Sequence, residues 1–230
     1  MAEVDASASG FPDRLAQGYR SFLGDRFRRE QERYRQQAEQ QTPETMVIGC
    51  CDSRVSPEVI FDASPGELFV VRNVANLVPP YERNGEYHGT SAALEFATQA
   101  LKVRHVVVLG HGRCGGVKAF ADEDFAPLTN NDFIGKWMQL MAPAIIRAGP
   151  RGPDGADYLR RLELASIEQS LSNLLTFPCV RSLVLGGKLL LHGAYFAVAT
   201  GELLVRNPGT GAFEPVVESV TERPSLMRCD

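Results

Sequence analysis

The chain is poor in the features that would assign it to a class at once. Five cysteines in 230 residues are too sparse, and odd in number, for a disulfide scaffold. That excludes small cross-linked secreted folds and points to a reducing compartment, by default the cytoplasm. No apolar run approaches the roughly 18 residues that a membrane-spanning helix needs. Residues 1–10 lack the basic-then-apolar order of a secretory leader and are small and polar enough to be expected disordered. The net charge of −4 gives no general electrostatic reason for a nucleic-acid partner. Repeats, low-complexity tracts and interdomain linkers are also absent. A single domain over 1–230 is expected, with residues 1–40 as an N-terminal helical arm and 41–230 as an α/β body. A hydrophobic content of 44% is sufficient for a sizeable core.

What is present is alternation. Pro12 suits the start of a helix, and Leu15, Tyr19, Phe22 and Leu23 follow at helical spacing, with Gly24 as a break. Residues 25–40 then carry only Phe27 and Tyr34 as large apolar anchors. A helix of that kind buries little against its own domain and is expected to lie across a partner subunit. The arginines from Arg14 to Arg35 are interrupted by Asp25, Glu30 and Glu32, which reads as a solvated face. From residue 45 onward, short apolar runs near 45–49, 67–71 and 104–109 read as strands. Helices are expected from Ser56-Pro57, over Gly89–Leu101, and over 131–147 and 156–176, with a last strand pair at about 188–206. The fold class is therefore α/β. Its parallel-centred sheet is flanked by helices, with an additional antiparallel edge strand.

The chemistry concentrates at two strand ends, where open α/β sheets place ligands. The run Met46-Val47-Ile48-Gly49 leads into Cys50-Cys51-Asp52-Ser53-Arg54, and His105–Leu109 leads into Gly110-His111-Gly112-Arg113-Cys114-Gly115-Gly116. Cys50, His111 and Cys114 together make the three-ligand, open-fourth-position set of a catalytic zinc site. Alone, each cysteine would read as core. Asp52 and Arg54 are spaced for a two-pronged pair, with Asp52 facing the open position as a hydrogen-bond acceptor or an alternate fourth ligand. Gly115-Gly116 can present backbone N–H groups to an anion. Cys51 alternates away from Cys50 and reads as packed. His105 reads as structural, His192 as locally hydrogen-bonded and His88 as a loop residue. Cys179 and Cys229 read as structural, and Trp137 as core with Ile134 and Met141. Two other classes remain open at this point. One is a non-catalytic zinc module closed by Asp52, and the other is a redox or phosphatase enzyme using Cys50 or Cys51 as nucleophile.

These residues resemble the β-class carbonic anhydrases. The family's C-x-D-x-R element stands as Cys50, Asp52 and Arg54, and its H-x-x-C element as His111 and Cys114, followed by Gly115-Gly116. Pro65 to Asn76 is similar to the family's P-G-E-x-F-V-x-R-N-x-A-N stretch. The resemblance is close over about 41–120. It implies reversible hydration of carbon dioxide by a zinc-acidified water, with bicarbonate and a proton as products, and a homodimer or larger homo-oligomer whose N-terminal helices embrace the neighbour. Hydrolysis of carbonyl sulfide or carbon disulfide is the alternative within the family. Members with an inhibitory bicarbonate site use Trp, Arg and Tyr, where this chain has Val47, Arg72 and Phe196. Plant-like members place a glutamine nine residues before the first cysteine ligand, where Gln41 stands. Phe69 matches an apolar pocket residue, and Phe96 falls where an aromatic is usual. The resemblance thus implies the open-site subtype, with Gln41, Phe69 and Phe96 toward substrate and Asp52 paired with Arg54.

Overall fold

The structure is a computed structural model that describes residues 10–83, 88–122, 128–129 and 132–216. Cys229 and the stretch before Gly10 lie outside the described residues.

Two helices lead the described chain, α1 (Asp13–Gly24) and α2 (Arg26–Gln37), and neither contains a buried residue. The break falls at Asp25, directly after Gly24, where φ −122° and ψ −78° leave the helical region. Phe22 meets Phe27 and Tyr34 at centroid distances of 5.8 and 5.9 Å, a small aromatic knot that holds the two helices together. α2 is tied to the body by Gln37, whose Nε2 donates to the Pro65 carbonyl at 2.8 Å. Arg33 stands 3.6 Å from Glu67.

The body is built on six strands: β1 (Thr45–Cys50), β2 (Leu68–Asn73), β3 (His105–His111), β4 (Leu190–Ala197), β5 (Glu202–Arg206) and β6 (Phe213–Pro215). Their order is β2-β1-β3-β4-β5-β6. The four on the β2 side are parallel, and β5 and β6 add antiparallel. The edge carries two antiparallel strands where the sequence led us to expect one. β6 spans three residues, Phe-Glu-Pro, too short to show a periodicity of two, and Pro215 suits an outer strand.

Successive residues of β1 and β3 face opposite sides, as pleating requires. Met46, Ile48, Val106 and Val108 enter the main core with Leu94, Ile167, Leu174 and Val180. These come from α4 (Gly89–Glu95), α8 (Gly155–Leu174) and α9 (Pro178–Leu185). Val47, Leu109 and Ala194 face the other way, into a much smaller cluster. A third cluster sits over the C-terminal ends of the strands. It gathers Val55, Ala75, Leu77, Val117, Met141, Tyr158 and Leu162 around Cys50 and Cys114.

Several expected helices differ in detail. The one foreseen over 89–101 is α-helical only to Glu95, then widens into a π-type turn over Phe96–Leu101 that ends at left-handed Lys102. The segment foreseen over 131–147 is split into α6 (Phe133–Met138), a 3₁₀ turn (Gln139–Met141) and α7 (Ala142–Ala148). Pro143, at the start of α7, lacks the N–H that a continuous helix would need there. α8 begins where Asp154 accepts from the N–H groups of Ala156 and Asp157. α3 (Pro57–Ile60) starts at Pro57 as foreseen. α5 (Gly115–Ala121) and α9 were not foreseen. No described helix is long and apolar enough to cross a membrane.

Candidate metal centre

β1 lies between β2 and β3, so the chain leaves β1 toward one side and later returns on the other. Such a switch in strand order opens a crevice at the C-terminal strand ends. Cys50 is the last residue of β1, His111 the last of β3, and Cys114 the residue that caps α5. Their ligand atoms all lie within 4.8 Å of one another, and the two sulfurs are 3.9 Å apart. The three side chains are 5%, 1% and 1% exposed.

The link from His111 to Cys114 reverses direction through Arg113, a non-glycine residue at φ 56°. Opposite it, Ala75 and Asn76 are also left-handed, at φ 64° and 49°. Their turn is held by Asn73, whose Oδ1 accepts from Leu77 N and whose Nδ2 donates to the Leu77 carbonyl, both at 2.8 Å. Trp137, expected in the core, is half-buried at the edge of the cluster around the cysteines, and its Nε1 donates to the Val74 carbonyl at 2.8 Å, which fastens the turn. Strained backbone of this kind persists only where its surroundings over-determine it.

The donor set fits a metal. His111 Nδ1 lies 3.0 Å from the Gly112 carbonyl, which can only accept. The proton therefore belongs on Nδ1, and the lone pair of Nε2 is left facing the sulfurs. That buried Nε2 has no hydrogen-bond partner. A buried polar atom without a partner costs free energy comparable to a lost hydrogen bond, and a bound cation would satisfy it. The first proton leaves the pair from Cys50. The hydrogen bond between them lowers the pKa of Cys50 and raises that of Cys114. Burial works against protonation of His111, but the adjacent Cys50 sulfur raises its pKa overall.

Asp52 stands beside the cluster, its Oδ2 4.0 Å from His111 Nε2. Arg54 grips it with both prongs, Nε to Oδ1 at 2.9 Å and a terminal nitrogen to Oδ2 at 2.7 Å. The Arg54 side-chain hydrogen bonds, above all, hold the Asp52 carboxyl well below the usual carboxylate range. Arg54 also donates to the Arg113 carbonyl at 3.2 Å, tying the first strand end to the second. Arg72 donates to the carbonyls of Cys50 and Asp52 at 2.7 and 2.6 Å.

The substrate candidates fall elsewhere in the chain. Phe69 pairs with Met46, whereas Cys50 pairs with Asn73. Four residues, roughly 13 Å of strand, separate the two positions. Phe96 is 48% exposed, and its ring lies 5.9 Å from that of Phe69. Gln41 is exposed in the link between α2 and β1. Phe69 and Phe96 are thus brought together, but away from their own chain's cysteines.

Cys51 corrects the sequence reading. It is exposed, not packed. β1 ends at Cys50, so strand alternation no longer decides where the next side chain goes. His105 and His192 bond to each other across the strands, at 3.1 Å. His88 is a loop residue 3.8 Å from Glu82, and Cys179 is a free, half-buried thiol.

Sequence reasoning missed Glu163 and Tyr195. Glu163 Oε1 accepts from Cys114 N at 3.0 Å, and its Oε2 accepts from the Tyr195 hydroxyl at 2.9 Å. The available signal was spacing, since Glu163 stands four residues from both Leu159 and Ile167, on the core-facing stripe of its helix.

The chain is similar to known proteins in sequence and fold. The carbonic anhydrase family profile matches residues 45–203. Beta carbonic anhydrase 3 of Arabidopsis thaliana is 36% identical over 204 residues, 87% of this chain and 79% of that one. Among solved structures, the β-carbonic anhydrase CcaA superposes with a TM-score of 0.79 at 28% identity, covering 88% of this chain and 98% of its own. A Coccomyxa β-carbonic anhydrase, solved in complex with acetazolamide, gives a TM-score of 0.73 at 28% identity, covering 87% and 86%. With the profile spanning well over half of the chain, and with a paired aspartate and arginine beside a buried Cys–His–Cys group, this chain belongs to the β-carbonic anhydrases, the family of carbonate dehydratase lyases.

Proposed function

We propose that this protein catalyses the reversible hydration of carbon dioxide at a zinc ion held by Cys50, His111 and Cys114. The observation that carries the reading is the buried, partnerless His111 Nε2 facing two thiols 3.9 Å apart. Neutral imidazole and thiolate are the usual zinc donors, and three of them leave one position for chemistry. Zinc bound there supplies a water acidic enough to lose its proton near or above neutral pH, less readily than beside three neutral imidazoles because two thiolates offset the ion's charge.

The chain's own residues do the rest. Asp52, kept ionised by Arg54, accepts a hydrogen bond from the attacking water and orients it. Arg54 prevents that carboxylate from swinging onto the metal, which keeps the site open. Gln41, Phe69 and Phe96 bind and wall the substrate from a second copy of the chain, because within one chain Phe69, which carries Phe96 against it, lies roughly 13 Å along the strand from the level of Cys50. The domain division follows: residues 1–40 form an arm that grips the neighbour, and 41–230 form the zinc-holding body. Homodimers or larger homo-oligomers and a cytoplasmic setting complete the reading, the latter supported by free thiols among the described cysteines.

Metal analysis of the purified protein with stopped-flow carbon dioxide hydration tests this. One zinc per chain is expected, with a rate that rises from mildly acid to mildly alkaline pH. Zinc-loaded protein that hydrolyses carbonyl sulfide or carbon disulfide but does not hydrate carbon dioxide would replace the substrate. Protein purified without metal, and unable to take it up, would refute the site.

A further inference from the structure

Beneath the turn that carries His111 and Cys114 lies a buried carboxylate that the reaction itself does not use. Glu163, on α8, is 3% exposed. Removing a carboxylate from water is costly unless its oxygens are satisfied. Both are satisfied here, one by the backbone N–H of Cys114 at 3.0 Å and the other by the Tyr195 hydroxyl of β4 at 2.9 Å. Tyr195 also touches the turn from below. A Cβ at Gly112 would sit 2.8 Å from its hydroxyl oxygen, so the glycine is what lets the turn settle on the phenol. Arg160 covers the other side of that ring, its guanidinium carbon 5.5 Å from the centroid. The turn itself is strained, with Arg113 at φ 56° immediately before the amide that Glu163 holds. Glu163 therefore ties three separate elements together at the residue whose sulfur would bind the metal.

We propose that Glu163, steadied by Tyr195, is a positioning residue for the metal centre: by holding the Cys114 N–H it fixes the strained His111–Cys114 turn in the geometry that keeps both ligands on one ion. The proposal rests on the reading that Cys50, His111 and Cys114 hold zinc. Partners of this kind, one bond removed from a ligand, orient it and slow its departure.

The test compares metal release and ligand-field spectra rather than turnover. Glu163→Leu places an apolar side chain of similar bulk there and removes the acceptor. Its zinc should transfer to a chromophoric chelator about 10–100-fold faster than from the wild type, and its cobalt-substituted form should show shifted thiolate-to-cobalt and d–d bands. Glu163→Gln retains an oxygen for Cys114 N–H and offers its amide to Tyr195. It should release zinc within about threefold of the wild-type rate and keep the wild-type cobalt spectrum, a rescue that a loss of bulk packing would not explain. Tyr195→Phe leaves the Cys114 bond in place and should fall between the two. Should Glu163→Leu fail to fold by circular dichroism, Tyr195→Phe carries the decision. A folded Glu163→Leu protein, or in its place Tyr195→Phe, with wild-type release and an unshifted spectrum overturns the proposal. Wild-type protein that binds zinc but hydrates no carbon dioxide overturns the proposed reaction and leaves this role standing, whereas failure to bind any metal overturns both.

Discussion

Cys50 and Cys51 are the same residue type one position apart, and the fold gives them opposite fates. Cys50 closes β1, is buried, and lies 3.9 Å from Cys114. Cys51 stands past the strand end, exposed. Replacing either with serine therefore separates a ligand from a bystander. Cys50→Ser, His111→Ala and Cys114→Ser should each lose zinc and hydration activity, while Cys51→Ser should retain both, as read by metal content per chain. Full zinc content in His111→Ala would disprove the ligand set. The Asp52–Arg54 pair is expected to behave differently, because neither residue is among the three ligands. Asp52→Asn removes the charged acceptor, and Arg54→Ala frees the carboxylate to move onto the ion. Both should keep zinc and lose about 10–100-fold in turnover, the scale expected for groups that orient a metal site. Wild-type turnover in Arg54→Ala would reduce the pair to a structural contact. These candidates were legible in the sequence because two clusters of thiol, imidazole, aspartate and arginine stand at the ends of two strands, although each residue alone has commoner uses. Glu163 was harder to see, since a glutamate within a helix ordinarily faces solvent; its spacing from Leu159 and Ile167 put it on the inward stripe, but what it bonds there is visible only in the fold.

At the scale of elements, the close approach of α8 to the sheet decides how the strand ends are held. Ile167 lies over both Gly110 of β3 and Gly193 of β4, and a Cβ at these positions would come within 2.6 and 2.9 Å of its side-chain atoms. Ile167 is itself fully buried, so it cannot swing away cheaply. Gly110→Ala should then destabilise the protein by about 1–3 kcal/mol, the range for overpacking a dense core, read as a lower denaturant midpoint. Trimming the obstacle in Gly110→Ala/Ile167→Val should recover part of the loss. If the double variant is less stable than the sum of the single ones predicts, the contact is not the cause. The strands leading to this packing were readable as dense Val/Ile runs bounded by glycine, because parallel strands buried on both faces carry that composition. The interruptions were less readable. The π-type turn over Phe96–Leu101 and the split at Pro143 arise where helices adapt to a neighbour, and helical periodicity alone carries no trace of the neighbour. β6 escaped for the opposite reason, being too short to have a pattern at all.

At the scale of the whole molecule, the apolar surface that one chain leaves uncovered is what the proposed assembly would bury. α1 exposes Leu15, Tyr19 and Leu23 to 58%, 59% and 38% and buries no residue of its own. Among the described residues β2 is an edge strand, with a neighbour on one side only, and native proteins cover or blunt such edges. Phe69 and Phe96 meet on and beside that edge. A second copy placed there would cover the arm's apolar stripe and bring these rings to the neighbour's cysteines. Removing residues 1–40 should accordingly abolish assembly and activity together, and a fully active monomer after that deletion would refute the arrangement. Subunit mixing gives the sharper test. Cys50→Ser protein has no metal site but intact Phe69, and Phe69→Ala protein has an intact metal site but a defective wall. If each active site draws its wall from the partner, a mixed dimer contains one complete site, the metal cluster of the Phe69→Ala chain facing Phe69 of the Cys50→Ser chain. Random re-association of the two inactive proteins should then restore about a quarter of wild-type sites, since half of the symmetric pairs are mixed and each holds one good site of two. If Phe69 served its own chain's metal, every site in the mixture would lack either the ion or the wall, and mixing would restore nothing.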